Sequence, residues 1–226
     1  MRNLLNSESP LMQTLGKLAD LVFTSILLML CSLPIFTIGA AICAAHKVMQ
    51  SIVLEEEAGV IKPYLKAFKD NFKQATIAWL AFLAVAVVLA LNFRIVHTAL
   101  EGNIQNVAYA FFAVLSVTAA GTAAFLFPLM TRYENTLKKH LFNALILAVG
   151  KFPRTLCMVV IHSLPFLMLL ISPAAFIKWL IFWLMLGTGF LFLLDNILLR
   201  SVYIGLEKKP EEEAETEEES NEPEEA

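Results

Sequence analysis

The residues best suited to chemistry in this 226-residue chain are polar groups that lie inside apolar stretches. Asp195 and Asn196 lie together within FLFLLDNILLR, and His162 lies in another apolar stretch. A carboxylate inside a membrane span is costly, so it should face the helix bundle or a wet cavity and have a partner. Asp195, Asn196 and His162 therefore form a candidate intramembrane polar site, which could line a path for a solute or a proton.

Simpler interpretations of the same residues stay open. Asp195 precedes Arg200 by one to two helical turns and could extend toward the headgroups at the end of its span. A lone intramembrane histidine such as His162 is often an interhelical hydrogen-bonding group rather than a ligand or a proton relay. The sequence does not decide between these roles.

Two loops between the apolar stretches carry basic helical patterns. In IKPYLKAFKDNFK, residues 61–73, apolar residues recur at helical spacing and four lysines take the other face: Lys62, Lys66, Lys69 and Lys73. This pattern predicts a basic amphipathic helix that either rests on anionic headgroups or docks a cytoplasmic partner. LKKHLFNALILAVGKFPRT, residues 137–155, predicts another short cytoplasmic helix, which ends at Gly150.

Familiar catalytic patterns are absent from the sequence. It contains no phosphate-binding G-x-x-x-x-G-K-[ST] loop, no H-E-x-x-H and no G-x-S-x-G. The four histidines lie in different segments, and the three cysteines show no C-x-x-C spacing. We therefore expect no catalytic residues, cofactor or metal ion, no enzymatic activity, and no nucleic acid among the partners.

The composition indicates a protein solvated by lipid. Hydrophobic residues make up 58% of the chain, with 17 phenylalanines and a mean hydropathy of +0.69, which is more apolar surface than a soluble domain of this size can bury. Because lipid leaves an open strand without hydrogen-bond partners, the spans should be helices. The predicted fold is an all-α transmembrane bundle over residues 1–206. Its five expected spans are 18–43, 75–93, 107–130, 155–175 and 179–199.

Lysine and arginine counts predict the orientation of this bundle. The first and third loops carry five basic residues each, whereas the second and fourth carry only Arg94 and Lys178. Basic loops favour the cytoplasm, so the C-terminus should be cytoplasmic and five crossings place the N-terminus outside. Arg2 and Lys17 oppose export of the N-terminus, and a first segment broken at Pro34 would place it inside.

The last 20 residues differ sharply from the rest. Residues 207–226 contain eleven glutamates and two lysines. Although the whole chain has a net charge of −3, residues 1–206 therefore carry a net positive charge. Such a segment has too little apolar surface to bury and is predicted to be a disordered acidic tail.

Three stretches carry a resemblance to a known family. KLADLVFTSILLMLCSLPIFTIGA (17–40), FKDNFKQATIAWL (68–80) and FPLMTRYENTLKKHLFNALILAVGKFPRTL (127–156) resemble the YesL-type membrane proteins of Gram-positive bacteria. The likeness runs in order over about residues 10–205 and leaves out the acidic tail. It implies a multi-pass plasma-membrane protein of a family of unknown function, commonly encoded beside carbohydrate-uptake and glycan-degradation systems, and it supplies no catalytic residues.

Two classes of function follow from these observations. The first is an accessory or regulatory membrane protein that binds a sugar-uptake permease or its ATPase through the basic helices, with anionic headgroups as a second partner. The alternative is a small solute transporter, which the prolines inside the predicted spans favour because broken helices expose backbone groups to solutes.

Overall fold

The computed structural model describes residues 10–56 and 59–221, most of which are helical. The helices are α1 Pro10–Cys31, α2 Ile38–Val53, α3 Ile61–Ala99, α4 Gly102–Arg132, α5 Leu137–Gly150, α6 Phe152–Ile171, α7 Pro173–Phe182 and α8 Thr188–Asn221. A single 3-10 turn, Ile35–Thr37, precedes α2, and a π-helical turn, Trp183–Gly187, joins α7 to α8. The prediction of an all-α fold is confirmed for the described residues.

Six of these helical segments are long and apolar enough to cross a membrane. They are Met12–Cys31, Ile35–Val53, Ile61–Ala99, Gly102–Arg132, Phe152–Ile171 and Pro173–Glu207. Their outward faces carry exposed apolar side chains, such as Ile104 on α4 and Leu170 on α6, the latter 81% exposed. A protein surface of this kind is stable in lipid and not in water, so the chain is a membrane protein.

The first predicted span is two helices rather than one. α1 ends at Cys31 and α2 begins at Ile38, because Pro34 lacks the N–H that a continuous helix needs. The Thr37 hydroxyl donates to the carbonyls of Cys31 and Pro34, at 2.6 and 2.7 Å, and so satisfies acceptors freed by the break. The prediction of one continuous span over 18–43 is wrong, and the structure offers six candidate spans where the sequence predicted five.

The later spans correspond to longer helices with one further break. The second and third predicted spans lie inside α3 and α4. The fourth, 155–175, runs past the end of α6, because Ser172 is extended and Pro173 starts α7. The Ser172 hydroxyl accepts a hydrogen bond from the Ala175 amide and caps that new helix.

Helix α3 unites the basic segment 61–73 with the following span. Its 39 residues give a length of about 58 Å, which exceeds the roughly 30 Å of bilayer hydrocarbon. Tyr64 and Ala67 on the basic segment are buried against α1 and α2, whereas all four lysines are exposed. The predicted cytoplasmic helix is thus the continuous first part of α3.

Helix α2 occupies the centre of the bundle and contacts α1, α3, α4 and α8. The residues that face its neighbours are mostly small: Gly39, Ala40, Ala41, Ala44 and Ala45 are all buried. A Cβ at Gly39 would collide with the Ala75 carbonyl and the Trp79 side chain of α3. The Trp79 indole donates to the Ile35 carbonyl at 2.9 Å, which fixes the turn before α2 against α3.

The acidic tail continues helix α8 as far as Asn221, so its predicted disorder is not confirmed. Glu, Ala and Lys, which dominate this stretch, have good intrinsic helix propensity. Residues 222–226 of the predicted tail lie outside the described residues.

The sixth candidate span changes the expected position of the N-terminus. If all six segments cross, both termini lie on one side, and the basic loops predict that this side is the cytoplasm. Reporter fusions before residue 10 and after residue 140 should then read as cytoplasmic, and a fusion near residue 101 as external. Arg2 lies outside the described residues, but Lys17 on α1 is exposed and agrees with a cytoplasmic N-terminus. An external reading at the N-terminus alone would mean that α1 or α2 does not cross.

The close packing of α2 on α3 predicts that glycine-to-alanine substitutions at two positions have opposite effects on stability. Gly39→Ala places a Cβ against backbone atoms and should lower stability by about 1–3 kcal/mol. The matched control Gly205→Ala meets nothing within 4 Å and should raise stability by up to about 1 kcal/mol. Thermal unfolding in detergent measures both, and an equal effect at the two positions would contradict the close approach.

Candidate functional site

A chain of buried polar side chains runs through the interface of α2, α4 and α8. Helical spacing puts His46 and Gln50, four residues apart, on one face of α2, and Asn196 and Tyr203, seven apart, on one face of α8. All four are buried, with at most 3% of their surface exposed. We call this set, with Thr131 of α4, the polar chain.

Gln50 joins three helices at one end of the polar chain. Its side-chain amide donates to the Pro128 carbonyl at 2.8 Å and to the Tyr203 hydroxyl at 3.2 Å. Its carbonyl oxygen accepts from the Thr131 hydroxyl at 3.1 Å. Buried polar groups without partners are expensive, so these bonds favour a single arrangement of α2, α4 and α8.

At the other end of the polar chain, the hydrogen bond from Asn196 determines which nitrogen of His46 carries a proton. Its amide nitrogen donates to the Phe192 carbonyl at 2.8 Å and to His46 Nδ1 at 3.0 Å, while its oxygen accepts from the Tyr203 hydroxyl at 3.0 Å. Since Nδ1 is the acceptor here, the hydrogen-bond network assigns His46 as neutral, with its proton on Nε2.

Asp195 and His162 meet next to the polar chain. Asp195 is 1% exposed, and its Oδ2 lies 3.4 Å from His162 Nε2 on α6. His162 Nδ1 lies 3.0 Å from the Met158 carbonyl, an acceptor, so Nδ1 carries a proton. The Asp195 side chain does not extend toward headgroups, and that interpretation of the sequence is wrong because the surrounding helices enclose it.

One oxygen of Asp195 has no hydrogen-bond partner within the part of the chain that the structure describes. This atom, Oδ1, is fully buried. An unsatisfied carboxylate oxygen inside a membrane protein is a site where a ligand or a bound water gains a strong hydrogen bond.

A cavity of about 390 Å³ lies beside this carboxylate. Asp195, His46 and His162 line it together with Ser163, while small and aromatic residues of α3 and α4 supply most of the remaining wall. The cavity is thus apolar with a few convergent polar groups, which is the usual character of a small-molecule site.

The four lysines of α3 form a second, separate feature, and none of them lines the cavity beside Asp195. They are exposed, and within the described residues none makes an ion pair. Ile61, Leu65 and Phe72 are also exposed on the same turns. We call these seven residues the α3 basic surface.

An ion cluster joins the ends of α2, α4 and α8 near this surface. Arg132 donates to Glu56 at 2.6 Å and to Glu207 at 2.8 Å, and Lys47 lies 3.6 Å from Glu56. Hydrogen bonding from Arg132, and then the positive charge of Lys47, hold the pKa of the Glu56 carboxyl below its usual range. Glu207, placed by the sequence at the start of a solvated tail, is instead part of this cluster.

Sequence reasoning found part of the buried site. Asp195, Asn196 and His162 were predicted as one candidate site, and the structure brings them together around α8. It missed His46, Gln50 and Tyr203, although the i, i+4 spacing in α2 and the i, i+7 spacing in α8 carry the signal. No group of three or more metal-ligating side chains occurs among residues 10–56 and 59–221.

The polar chain predicts a stability loss on removing one hydroxyl. Tyr203→Phe deletes a donor to Asn196 and an acceptor of Gln50, and should destabilise by about 1 kcal/mol or slightly more. Tyr109→Phe is the matched control, because its hydroxyl bonds only to His97 in an exposed position. Unfolding midpoints of the purified proteins measure the difference. Equal midpoints would mean that the polar chain contributes nothing to stability.

Comparison with models of protein families gives a match over about a third of the chain. Residues 21–93 match the model of a family described as "Protein of unknown function, DUF624". No curated protein and no solved structure matches the chain. The matched region contains half of α1, all of α2 and most of α3, so the packing of α2 on α3 and the α3 basic surface belong to the part that resembles this uncharacterised family.

Proposed function

We propose that the protein is a non-enzymatic accessory or regulatory component of the bacterial plasma membrane, which acts through the α3 basic surface on its cytoplasmic side. The observation that carries this proposal is that Lys62, Lys66, Lys69 and Lys73 are exposed, lack ion-pair partners among the described residues, and adjoin exposed apolar side chains. The proposal includes a cytoplasmic C-terminus.

Rigidity of the helix supports a binding role for this surface. The first turns of α3 are fixed by burial of Tyr64, whose hydroxyl donates to the Ala41 carbonyl at 3.3 Å. The lysines therefore project from a helix that is already ordered, so little backbone entropy is lost when a ligand binds. A preorganised surface of this kind suits a flat, negatively charged target.

Anionic headgroups are the first such target. Each lysine near the cytoplasmic leaflet is attracted by about 1 kcal/mol, and Ile61, Leu65 and Phe72 can enter the boundary between headgroups and acyl chains. Four lysines on consecutive turns therefore supply enough attraction to hold the start of α3 against the bilayer.

A protein is the second target, and we propose a sugar-uptake permease or its ATPase. This part of the proposal rests on the resemblance to YesL-type proteins, which accompany carbohydrate-uptake systems. The physical requirement is an acidic patch with an apolar centre on the partner, which would complement the seven residues of the α3 basic surface.

A small solute transporter is the second candidate function. The cavity beside Asp195 favours it, because an internal apolar cavity with a buried carboxylate is a place where a solute could be held. The breaks at Pro34 and at Ser172 lie between candidate spans and not inside them, so the broken-helix argument made from the sequence does not support this candidate.

Chemical labelling of the lysines in the α3 basic surface tests the first candidate function. In nanodiscs that contain anionic lipid, Lys62 to Lys73 should be protected from an amine-reactive reagent, and high salt should remove that protection because it shortens the range of the attraction. Mass spectrometry of the labelled peptides gives the extent of reaction. Equal labelling in anionic and zwitterionic nanodiscs would contradict headgroup contact.

A matched pair of variants separates lipid contact from partner binding. The variant with Lys62, Lys66, Lys69 and Lys73 changed to Gln should insert normally but copurify with less permease or ATPase than the wild type. Lys138→Gln with Lys139→Gln, exposed lysines on α5, is the control and should keep the wild-type partners. If both variants retain every partner and lipid protection is unchanged, the accessory proposal fails.

A further inference from the structure

We propose that the cavity beside Asp195 is a binding site for a small organic ammonium ion with an apolar body, and that each bound ammonium displaces one proton shared by Asp195 and His162. This site lies apart from the α3 basic surface, so the inference goes beyond the accessory function proposed above.

The hydrogen-bond network determines how many protons the pair holds. His162 Nδ1 already carries a proton, since it faces the Met158 carbonyl. Its Nε2 lies 3.4 Å from Asp195 Oδ2, and two bare acceptors would repel each other at this distance. One further proton must therefore lie between them, on the ring or on the carboxyl, which makes the pair electrically neutral.

The neutral charge of the Asp195–His162 pair and its unpartnered oxygen indicate which chemical group the cavity would bind. An ammonium N–H donor can satisfy Asp195 Oδ1, but adding a positive charge to a buried neutral site is costly. Release of the shared proton to the solvent leaves Asp195 as a carboxylate and His162 neutral on Nδ1, and a second ammonium N–H then donates to His162 Nε2, so that Nε2 and Oδ2 do not face each other as bare acceptors. The ammonium then replaces the proton, and the site is neutral before and after binding.

The walls of the cavity suit the rest of such a ligand. Trp79, Phe127 and Phe192 present aromatic rings, and Ala120, Ala123 and Met158 add small or flexible apolar surface. Aromatic faces attract ammonium groups, more strongly where water is excluded. A carboxylic acid would find no cationic side chain among the residues that line the cavity.

The other titratable groups near the pair do not take over its proton. His46 of α2 lines the cavity but is held neutral, because Nδ1 accepts from Asn196. Tyr203 of α8 donates its hydroxyl to Asn196. The cavity-lining residues of α3 and α4 include no titratable side chain.

Access to the cavity is available from two directions. The His162 side chain is 38% exposed while that of Asp195 is 1% exposed, so His162 lies between the carboxyl and the surface of the helix bundle. Trp79, Ala120 and Ala123 also line a neighbouring apolar groove of about 430 Å³ between α3 and α4. That groove gives the apolar body of the ligand a route from the lipid.

Three probes of nearly equal shape test the proposal. They are 1-adamantylamine, 1-adamantanol and 1-adamantanecarboxylate, which present an ammonium, a hydroxyl and a carboxylate on the same apolar cage. Calorimetric titration of the full chain in zwitterionic nanodiscs, repeated in buffers with different ionisation enthalpies, gives affinity and the number of protons released. Ser201→Ala, a hydroxyl deletion at an exposed position of α8 that lines neither the cavity nor the groove, is the control variant.

We expect 1-adamantylamine to bind with release of one proton, so that its affinity rises about tenfold per pH unit from about pH 6 to about pH 8. Asp195→Asn should weaken binding at least tenfold, Ser201→Ala should not change it, and the alcohol and the carboxylate should bind at least tenfold more weakly than the amine. Wild-type protein that releases no proton, binds the alcohol as tightly as the amine or shows no saturable binding would overturn the proposal, even if the Asn variant does not fold.

Discussion

Close contact between α2 and its neighbours is the constraint on which the rest of the structure depends. Lipid provides little hydrophobic drive for helices to associate, so association must come from van der Waals contact and from hydrogen bonds. Gly39 and the alanines of α2 allow α3 to approach until backbone atoms nearly touch. On its other sides α2 is joined to α4 through Gln50 and to α8 through His46, by hydrogen bonds between buried polar groups.

Much of the fold could be predicted from the sequence because lipid imposes strict rules. Spans two and three were found from length and apolarity alone and lie within α3 and α4, whereas the bounds predicted for spans four and five cross the ends of α6 and α7. The first segment was misjudged, because Pro34 is compatible with a kinked single helix as well as with a complete break. The outcome depends on Thr37 and Trp79, whose bonds across the break form only once α3 is packed in place.

The candidate site was predictable only in part, for a related reason. Asp195 and Asn196 are conspicuous in an apolar stretch, and so is His162, but their partners depend on which helices become neighbours. His46 and Gln50 look ordinary in α2 until α8 is packed against it. The lysines of α3 were easier to find, since their role as an exposed face follows from spacing within one helix.

The unbroken length of α3 has a mechanical consequence. Between Tyr64 and Ala99 the helix contains neither glycine nor proline, so it behaves as a stiff rod that is held near its middle where Trp79 bonds to Ile35. A tilt of about 10° around that point, which would carry along the residues of α1 and α2 packed against Tyr64, would displace Lys62 by about 4 Å in one direction and His97 by a similar distance in the other. A force applied to the headgroup end of this lever would thus be felt on the opposite side of the bilayer without any helix having to unfold.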